Sequence, residues 1–310
     1  MTYRFDPELA AVIPAIPAVG IGDLAAARAG LDELSAQAGA NVDTSGVVIE
    51  DRVVTASGGH AIPVRVYAPT ERDGRLPGVL YVHGGGFVLG SVDTEHAGAV
   101  LVARSVGAVV VSVDYRLAPE HPFPAGLDDC YDALTWMTDA ADQLELDLDR
   151  LAVFGNSAGG GLAAGVALAA RDRGGPSLCF QYLGIPELDD RLETVSMQTF
   201  VDTPMWNRPN AALSWQYYLG EDSGEVSPYA APARATDLSG LPPTYISTME
   251  FDPLRDEGLI YGLRLLQAGV TVELHQYPGT FHGSALVFTA ATSVRQSAET
   301  MDVMRRALHG

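Results

Sequence analysis

Basic side chains are scarce in this chain of 310 residues. Its 19 Lys and Arg stand against 39 Asp and Glu, so the net charge is −20. No run of basic residues is present. A surface that binds nucleic acid needs clustered positive charge to meet the phosphates. We therefore expect no nucleic-acid partner.

Cysteine is nearly absent as well. Cys130 and Cys179 are the only two, and both have aromatic neighbours in the sequence. We interpret them as buried free thiols in a reducing compartment rather than as a disulfide. Cys and His form no cluster with metal-ligand spacing, so the sequence predicts no metal site and no cofactor.

Long apolar runs are also missing. No uncharged apolar segment approaches the ~20 residues of a membrane-spanning helix. The stretch 10–22 is apolar, but it follows Asp6 and Glu8 instead of positive residues and is interrupted by Pro14 and Pro17. That is not typical of a signal peptide. We expect a cytoplasmic protein with no membrane insertion. A homodimer is possible, but the sequence identifies no surface patch for a dimer interface.

Apolar residues are plentiful, at 47% of the chain, and their pattern indicates an α/β fold. After residue 45, short strand-like runs come first and then alternate with helical stretches. The predicted strands cover 47–55, 62–68, 78–82, 109–113, 151–154, 178–184, 244–248 and 272–277. The predicted helices cover 125–138, 158–171, 255–268 and the end of the chain. This order predicts a mostly parallel sheet with helices on both faces.

Two segments stand outside that alternation. Residues 1–45 are Ala-rich and helical in character, with Asp23 a candidate N-cap for a helix over 24–38. Residues 186–240 are too long for a plain loop, and we predict a partly helical insertion, with a helix within 203–219. The core would then comprise 46–185 and 241–310. The insertion would cover the carboxyl ends of the strands, where open α/β sheets bind ligands.

The sequence Gly155-Asn156-Ser157-Ala158-Gly159 follows an apolar strand and precedes an Ala-rich helix. This is the strand–turn–helix context of a G-x-S-x-G nucleophile elbow. The strained turn lifts the serine Oγ out of the sheet, and a side chain at either glycine would collide with a neighbouring element. The motif alone is modest evidence, because it arises readily by chance in a chain with 33 glycines.

A second and rarer motif is His83-Gly84-Gly85-Gly86-Phe87, directly after the strand 78–82. The oxyanion of a tetrahedral intermediate needs preorganised donors, and consecutive glycines expose backbone N–H groups for this. The N–H of Ala158 would complete the hole. We interpret His83 as a structural residue that orients the loop.

The catalytic base and its carboxylate should follow later strands. His282 lies in a turn after the strand 272–277, at the sheet edge from which Ser157 emerges. Asp252 is the first acid clear of the strand 244–248, with Pro253 expected to start the next helix. Glu250 and Asp256 are competing candidates for the acid. The order Ser, Asp, His along the chain is that of α/β-hydrolases.

Together these motifs resemble the hormone-sensitive-lipase family of α/β-hydrolases, the bacterial HGGG-type (family IV) esterases. The resemblance rests on residues 83–87, 114–125, 155–160, 186–190, 252–258 and His282. It implies an eight-stranded sheet with a helical cap and hydrolysis of esters with short to medium acyl chains. It places the oxyanion hole at Gly84, Gly85, Gly86 and Ala158, with Gly84 shaping the loop.

The resemblance also concerns residues around the elbow. Asn156 stands where Asp or Thr is more frequent in the family. The PELDD sequence at 186–190 is similar to that of the Thr-type branch, in which Glu187 would brace the elbow; an ordinary acid at a strand end is the alternative. Substrate-pocket candidates are Phe200, Met205, Trp206 and Trp215, with cap packing as the alternative for about half of them.

We therefore expect a serine carboxylesterase that acts through an acyl-enzyme intermediate on a small-molecule ester. An amidase or peptidase on the same fold is the alternative enzyme, because the triad alone does not separate ester from amide. A binding protein that keeps the fold without catalysis is the alternative outside enzymes, and it predicts a lost triad residue.

Overall fold

The computed structural model describes residues 3–16, 20–221 and 224–310. Its strands are β1 Val47–Thr55, β2 Ala61–Pro69, β3 Leu76–Val82, β4 Val109–Val113, β5 Leu146–Asn156, β6 Phe180–Gly184, β7 Thr244–Phe251 and β8 Val272–Phe281. Its helices are α1 Pro7–Val12, α2 Leu24–Gly39, α3 His96–Val102, α4 Ala125–Asp139, α5 Ala141–Leu144, α6 Ala158–Arg173, α7 Val195–Thr199, α8 Arg208–Leu219, α9 Arg255–Gln267 and α10 Ala291–His309.

The strands form one eight-stranded sheet in the order β1-β2-β4-β3-β5-β6-β7-β8. β2 pairs antiparallel with both β1 and β4, and every other pairing is parallel. The prediction of a mostly parallel sheet is confirmed. The strands β3, β5, β7 and β8 therefore end at the same edge of the sheet.

Alternation along the central strands builds a core on each face of this sheet. Leu80 and Val82 of β3 face α4 and α6, whereas Val79 and Tyr81 face α3 and α10. Every residue of β4 is buried, as its continuous apolar run predicted. With both faces covered by helices, the loops at the strand ends are held by a rigid frame.

Several predicted boundaries were wrong where pairing, not local composition, decides them. β8 extends to Phe281 because Phe251 of β7 pairs with it beyond a register shift. The helix predicted over 255–268 does begin at Arg255, so only the expectation that Pro253 starts it was wrong. In the predicted range 203–219, α8 begins only at Arg208, where Asn207 accepts a hydrogen bond from the N–H of Asn210 as N-cap.

The two segments outside the alternation both reach the carboxyl edge of the sheet. Arg28 of α2 donates to the carbonyls of Val88 and Ala118, beside the glycine loop. Asp23 caps α2 as predicted, through the N–H of Ala26. α8 reaches the same loop through Ser214. Residues 1–2, 17–19 and 222–223 of these segments lie outside the described part, and the domain limits at 45, 185 and 240 stay predictions.

Both cysteines are free thiols. Cys130 is buried on α4, but Cys179 is only half-buried, because it precedes β6 at the amino end of the sheet. The prediction of two buried thiols was therefore wrong for Cys179. Within the described ranges, no helix is both long enough and apolar enough to cross a membrane.

Candidate active site

Ser157 occupies the tight turn between β5 and α6, with φ 57° and ψ −125°. A left-handed φ is strained for a residue with a side chain. The turn is fixed by the Ser157 N–H, which donates to Gly184 O at 2.8 Å. A Cβ on Gly155 would lie 2.1 Å from the carbonyl oxygen of Gly159. A Cβ on Gly159 would lie 2.2 Å from Val82 O. Both glycines are therefore required sterically, as the motif indicated.

Ser157, His282 and Asp252 form one hydrogen-bonded chain. Nε2 of His282 lies 2.9 Å from Ser157 Oγ, and its Nδ1 lies 2.8 Å from Asp252 Oδ2. His282 directly follows β8 and Asp252 directly follows β7, so the sheet itself brings the three groups together. Asp252 is almost fully buried, and its other oxygen accepts from the Leu254 N–H. This arrangement fixes the imidazole with Nδ1–H toward the carboxylate and Nε2 toward the hydroxyl.

The competing acids are engaged elsewhere. Glu250 accepts a hydrogen bond from the N–H of Gly279 at 2.7 Å. Asp256 accepts from the N–H of Ser196 at 2.7 Å and pairs with Arg255. Neither has a described contact with His282. Other histidines are engaged away from Ser157 as well: His60 with Asp129, His96 with Tyr67, and His309 with Val106.

The glycine loop lies directly against the elbow. A Cβ on Gly84 would lie 3.0 Å from Asn156 O and 3.5 Å from the Cβ of Ser157. Gly85 has φ 121° and Gly86 has φ 57°, and a Cβ on Gly85 would lie 2.2 Å from Leu89 O. Only glycine fits these close approaches, and the backbone of the loop is thereby exposed to a group bound at Ser157.

Burial raises the pKa of the Glu95 carboxyl, and Tyr81 and the Gly84 backbone oppose this rise. The roles expected of these residues, with Gly84 shaping the loop and Gly85, Gly86 and Ala158 as oxyanion donors, stay predictions. Ala158 is the first residue of α6, so its N–H lies at the positive end of the helix dipole.

His83 is fully buried and lies at the base of the glycine loop. Its Nδ1–H donates to Gly84 O at 2.8 Å, and its ring stacks on Tyr115 at 4.0 Å between centroids. Burial lowers the pKa of His83 to about 4, so the ring is neutral at pH 7. Its Nδ1–H is directed at the loop backbone, as expected of a structural residue that orients the glycine loop.

Glu187 is joined to the elbow by its backbone. Its N–H donates to Ser157 O at 3.0 Å, while its side chain is fully buried and both carboxyl oxygens lack a hydrogen-bond partner among the described residues. Burial raises the pKa of Glu187 to about 8; the nearby Ser214 hydroxyl opposes this rise and the charge of Asp252 adds to it. The Asn156 side chain lies against Gly184, where a Cβ would meet its Oδ1 at 1.9 Å.

The four pocket candidates separate into two pairs. The ring of Trp206 lies 5.9 Å from that of His282, and Met205 packs on Gly283, where a Cβ would lie 2.9 Å from its Cε. Phe200 instead packs on Phe251 with Arg255 over its face, and Trp215 packs on Phe87. The structure brings only the first pair beside the catalytic histidine.

Ser214 is a residue that the sequence did not indicate. It is fully buried on α8, and its Oγ–H donates to Gly86 O at 2.9 Å. No local signal identifies it, because a serine within a helix gives no motif and Gly86 is 128 residues away in the chain.

One group of side chains has the composition of a cation site. Oxygen and nitrogen atoms of Glu273, His275 and Glu299 lie within 4.8 Å of one another. They already pair among themselves, and Glu273 also pairs with Arg306 at 2.8 Å. The group lies along β8 and α10, not at the strand ends that carry Ser157 and His282.

Comparison with known proteins agrees with this geometry. A family model described as the alpha/beta hydrolase fold matches residues 79–286. Carboxylesterase NlhH of Mycobacterium tuberculosis is 45% identical over 269 residues, which are 84% of this chain and 83% of the relative. Esterase LipI of the same species is 40% identical over 316 residues, which are 98% of this chain and 96% of LipI.

Solved structures show the same relationship. A bacterial heroin esterase superposes with a TM-score of 0.97 at 53% identity, covering 99% of both chains. Esterase LipW from Mycobacterium marinum superposes with a TM-score of 0.92 at 40% identity, covering 99% of this chain and 97% of LipW. The chain belongs to the α/β-hydrolase fold family and, within it, to the esterases similar to hormone-sensitive lipase.

Proposed function

We propose that this chain is a serine carboxylesterase that hydrolyses small esters with short to medium acyl chains. The observation that carries the proposal is the hydrogen-bonded chain Asp252–His282–Ser157, with the glycine loop in contact with the same serine. The relatives named as esterases support the ester as substrate class.

The reaction proceeds in two acyl-transfer steps. His282 Nε2 takes the hydroxyl proton as Ser157 Oγ attacks the ester carbonyl, and the oxyanion is held by the N–H groups of Gly85, Gly86 and Ala158. His282 then gives the proton to the departing alcohol, which leaves an acyl-enzyme. Water, activated by the same histidine, releases the acid. Asp252 holds the imidazole orientation and stabilises the imidazolium without taking the proton.

Hydrolysis of p-nitrophenyl esters from acetate to palmitate tests this proposal. We expect the highest kcat/KM at short to medium chains and loss of turnover in Ser157→Ala. Glu33→Gln, which changes an exposed residue of α2, is the control. An inactive wild type, or a Ser157→Ala variant with unchanged turnover, would contradict the proposal. The matching p-nitroanilides test the amidase alternative: hydrolysis of anilides faster than of esters would favour it.

We also place the protein in the cytoplasm. Both cysteines are free, and a reducing compartment keeps such thiols from pairing. Fractionation of the native host tests this, and recovery of the activity outside the cytoplasm would contradict it.

A further inference from the structure

Residues 3–16, which we call the N-terminal arm, lie against the carboxyl end of β8. The N–H of Asp6 donates to the carbonyl oxygen of Gly279 at 2.8 Å, before the turn of the catalytic histidine. The carboxylate of Glu8 accepts from the N–H of Ala291 at 2.6 Å, after that turn. The arm is therefore bonded to the chain on both sides of the histidine turn.

The end of β8 is where the sheet itself gives the least support. Among the described strands β8 is the last of the sheet, with β7 as its single neighbour. The pairing of β7 with β8 is also irregular there, since the register shifts between Met249 and Phe251. Beyond the shift, Phe251 pairs with Phe281. The next residues in the chain are Asp252 and His282. This last pair of the ladder therefore governs the separation of the catalytic acid and base.

The ring of Phe5, in the arm, contacts both members of this last pair. Its centroid lies 5.2 Å from that of Phe251 and 5.4 Å from that of Phe281, at interplanar angles of 84° and 79°. Both contacts are edge to face, an arrangement that the quadrupoles of aromatic rings favour. In the described ranges, Phe5 is the one ring that contacts both phenylalanines. It bridges the ends of β7 and β8.

Phe5 is held in place by its neighbours in the arm. Tyr3 packs on Phe251 with 5.6 Å between ring centroids, and its hydroxyl donates to Asp202. Asp6, directly after Phe5, makes the backbone hydrogen bond to β8 described above. The bridging ring is thus anchored to the cap segment on one side and to the sheet on the other.

The hydrogen-bonded chain of the triad depends closely on the spacing of these strand ends. The imidazole of His282 lies 2.8 Å from Asp252 Oδ2 and 2.9 Å from Ser157 Oγ. A displacement of about 1 Å in such a constellation can cost on the order of 10²-fold in rate. A contact that fixes the separation of β7 and β8 at this edge therefore affects the reaction without touching the substrate.

We propose that Phe5 is a positioning residue of the triad. Its ring fixes the last pair of the β7–β8 ladder and, through that pair, the distance between Asp252 and His282. The inference deepens the proposed function and rests on it, because the triad that Phe5 positions is the one that hydrolyses the ester.

Phe5→Leu tests the role of the ring, because leucine keeps the arm apolar and loses the two edge-to-face contacts. We expect kcat for p-nitrophenyl butyrate to fall by about tenfold, with KM within about twofold of the wild type, since the change acts on the triad and not on substrate binding. Phe5→Tyr keeps the ring and should retain kcat within about twofold of the wild type.

Phosphorylation of Ser157 by diethyl p-nitrophenyl phosphate gives a second readout that needs no turnover. The Oγ of Ser157 attacks phosphorus, the P–O bond to p-nitrophenolate breaks, and His282 takes the hydroxyl proton. One p-nitrophenolate is released per chain. The rate of this release should fall in Phe5→Leu in parallel with kcat.

Phe180→Leu is the matched control. Phe180 is a buried phenylalanine at the start of β6, at the end of the sheet opposite to Ser157. The same substitution removes a ring from the core there. This variant should lose stability in chemical unfolding, and its kcat and phosphorylation rate should equal those of the wild type.

Four results would overturn the role of Phe5: unchanged kcat and phosphorylation rate in Phe5→Leu, an equal loss in Phe180→Leu, a rise in KM alone, or a Phe5→Tyr variant as slow as Phe5→Leu. The proposed function can fail separately. A wild type that is phosphorylated at Ser157 but hydrolyses no ester would refute that function, and slower phosphorylation of Phe5→Leu would still support the positioning role.

Discussion

Ser214 on α8 holds the carbonyl of Gly86 through a hydrogen bond of 2.9 Å. The peptide plane that this bond fixes belongs to the glycine loop beside Ser157. A Cβ on Gly86 would lie 3.2 Å from Ser214 Oγ and 2.5 Å from the ring of Trp206. Two residues of the 186–240 segment thus enclose one glycine of the oxyanion loop. This segment helps to define the geometry of the site.

Ser214→Ala should lower kcat by about tenfold with little change in KM. Without the Ser214 hydroxyl, Gly86 is held less firmly. An oxyanion donor that is displaced stabilises the transition state less. The affinity for a tetrahedral boronic-acid inhibitor should fall in parallel with kcat. A purely structural role would lower the thermal midpoint and leave that affinity unchanged.

Ser112→Ala is the control for Ser214. Ser112 is a fully buried serine of β4 whose hydroxyl has no partner among the described residues. Its replacement should leave both kcat and inhibitor affinity at the wild-type values. Equal kinetics in the two variants would show that Gly86 does not depend on Ser214.

Asp252→Asn should reduce kcat by about 10³- to 10⁴-fold. The amide no longer favours Nδ1–H on His282, and the imidazolium formed during attack loses its counter-charge. Glu250→Gln and Asp256→Asn are matched controls, since both acids have other partners in the structure. Steady-state kinetics on p-nitrophenyl butyrate provide the measurement. A loss confined to one of the control variants would transfer the role to that acid.

Much of the site followed from the sequence because its residues lie at the ends of strands with clear apolar patterns. Ser157, Asp252 and His282 each follow a parallel strand, and parallel strands end at one edge of a sheet. The motifs therefore predicted both the three residues and the sheet edge at which they come together. In the structure, the three side chains lie within hydrogen-bond distance of one another along the chain Asp252–His282–Ser157.

Features that depend on contacts distant along the chain could not be predicted in the same way. The extension of β8 to Phe281 depends on its pairing with β7, and the Ser214 bond depends on how α8 packs over the glycine loop. The four pocket candidates looked equivalent in the sequence, yet only Met205 and Trp206 lie beside the histidine turn. Tertiary packing, not residue type, separates them from Phe200 and Trp215.

Trp206→Leu should shift the preference toward longer acyl chains. The indole lies beside His282 and against Gly86, so a smaller side chain enlarges the space next to the reacting carbonyl. We expect the ratio of kcat/KM for the octanoate ester to that for the acetate ester to rise by about tenfold, a change typical of added room for methylenes.

Trp215→Leu separates this effect from general loss of packing. Trp215 packs on Phe87 and Tyr218 in the core, so this variant should lose about 3 kcal/mol or more of stability without changing the ester ratio. Chemical unfolding and the same pair of esters measure both effects. A shift of the ratio in Trp215→Leu, or none in Trp206→Leu, would contradict the placement of Trp206 at the acyl site.

The titration of Glu187 should lower the free energy of unfolding as the pH rises toward 8. Burial, with the charge of Asp252 added, raises the pKa of this carboxyl from 4.5 to about 8. Between these values the folded state holds a proton that the unfolded state has released. The free energy of unfolding therefore falls with rising pH, by about 1.4 kcal/mol per pH unit for one such group, and the loss is complete above the folded pKa.

Glu187→Gln removes this titration and keeps the shape of the side chain. Its unfolding free energy should fall less steeply than that of the wild type between about pH 5 and 8, so that the variant gains relative stability toward the alkaline end. Urea unfolding at several pH values measures the difference, with the exposed Glu33→Gln as control. Parallel curves for wild type and Glu187→Gln would mean that this carboxyl is already ionised in the folded protein, and that burial beneath Ser157 does not hold its proton.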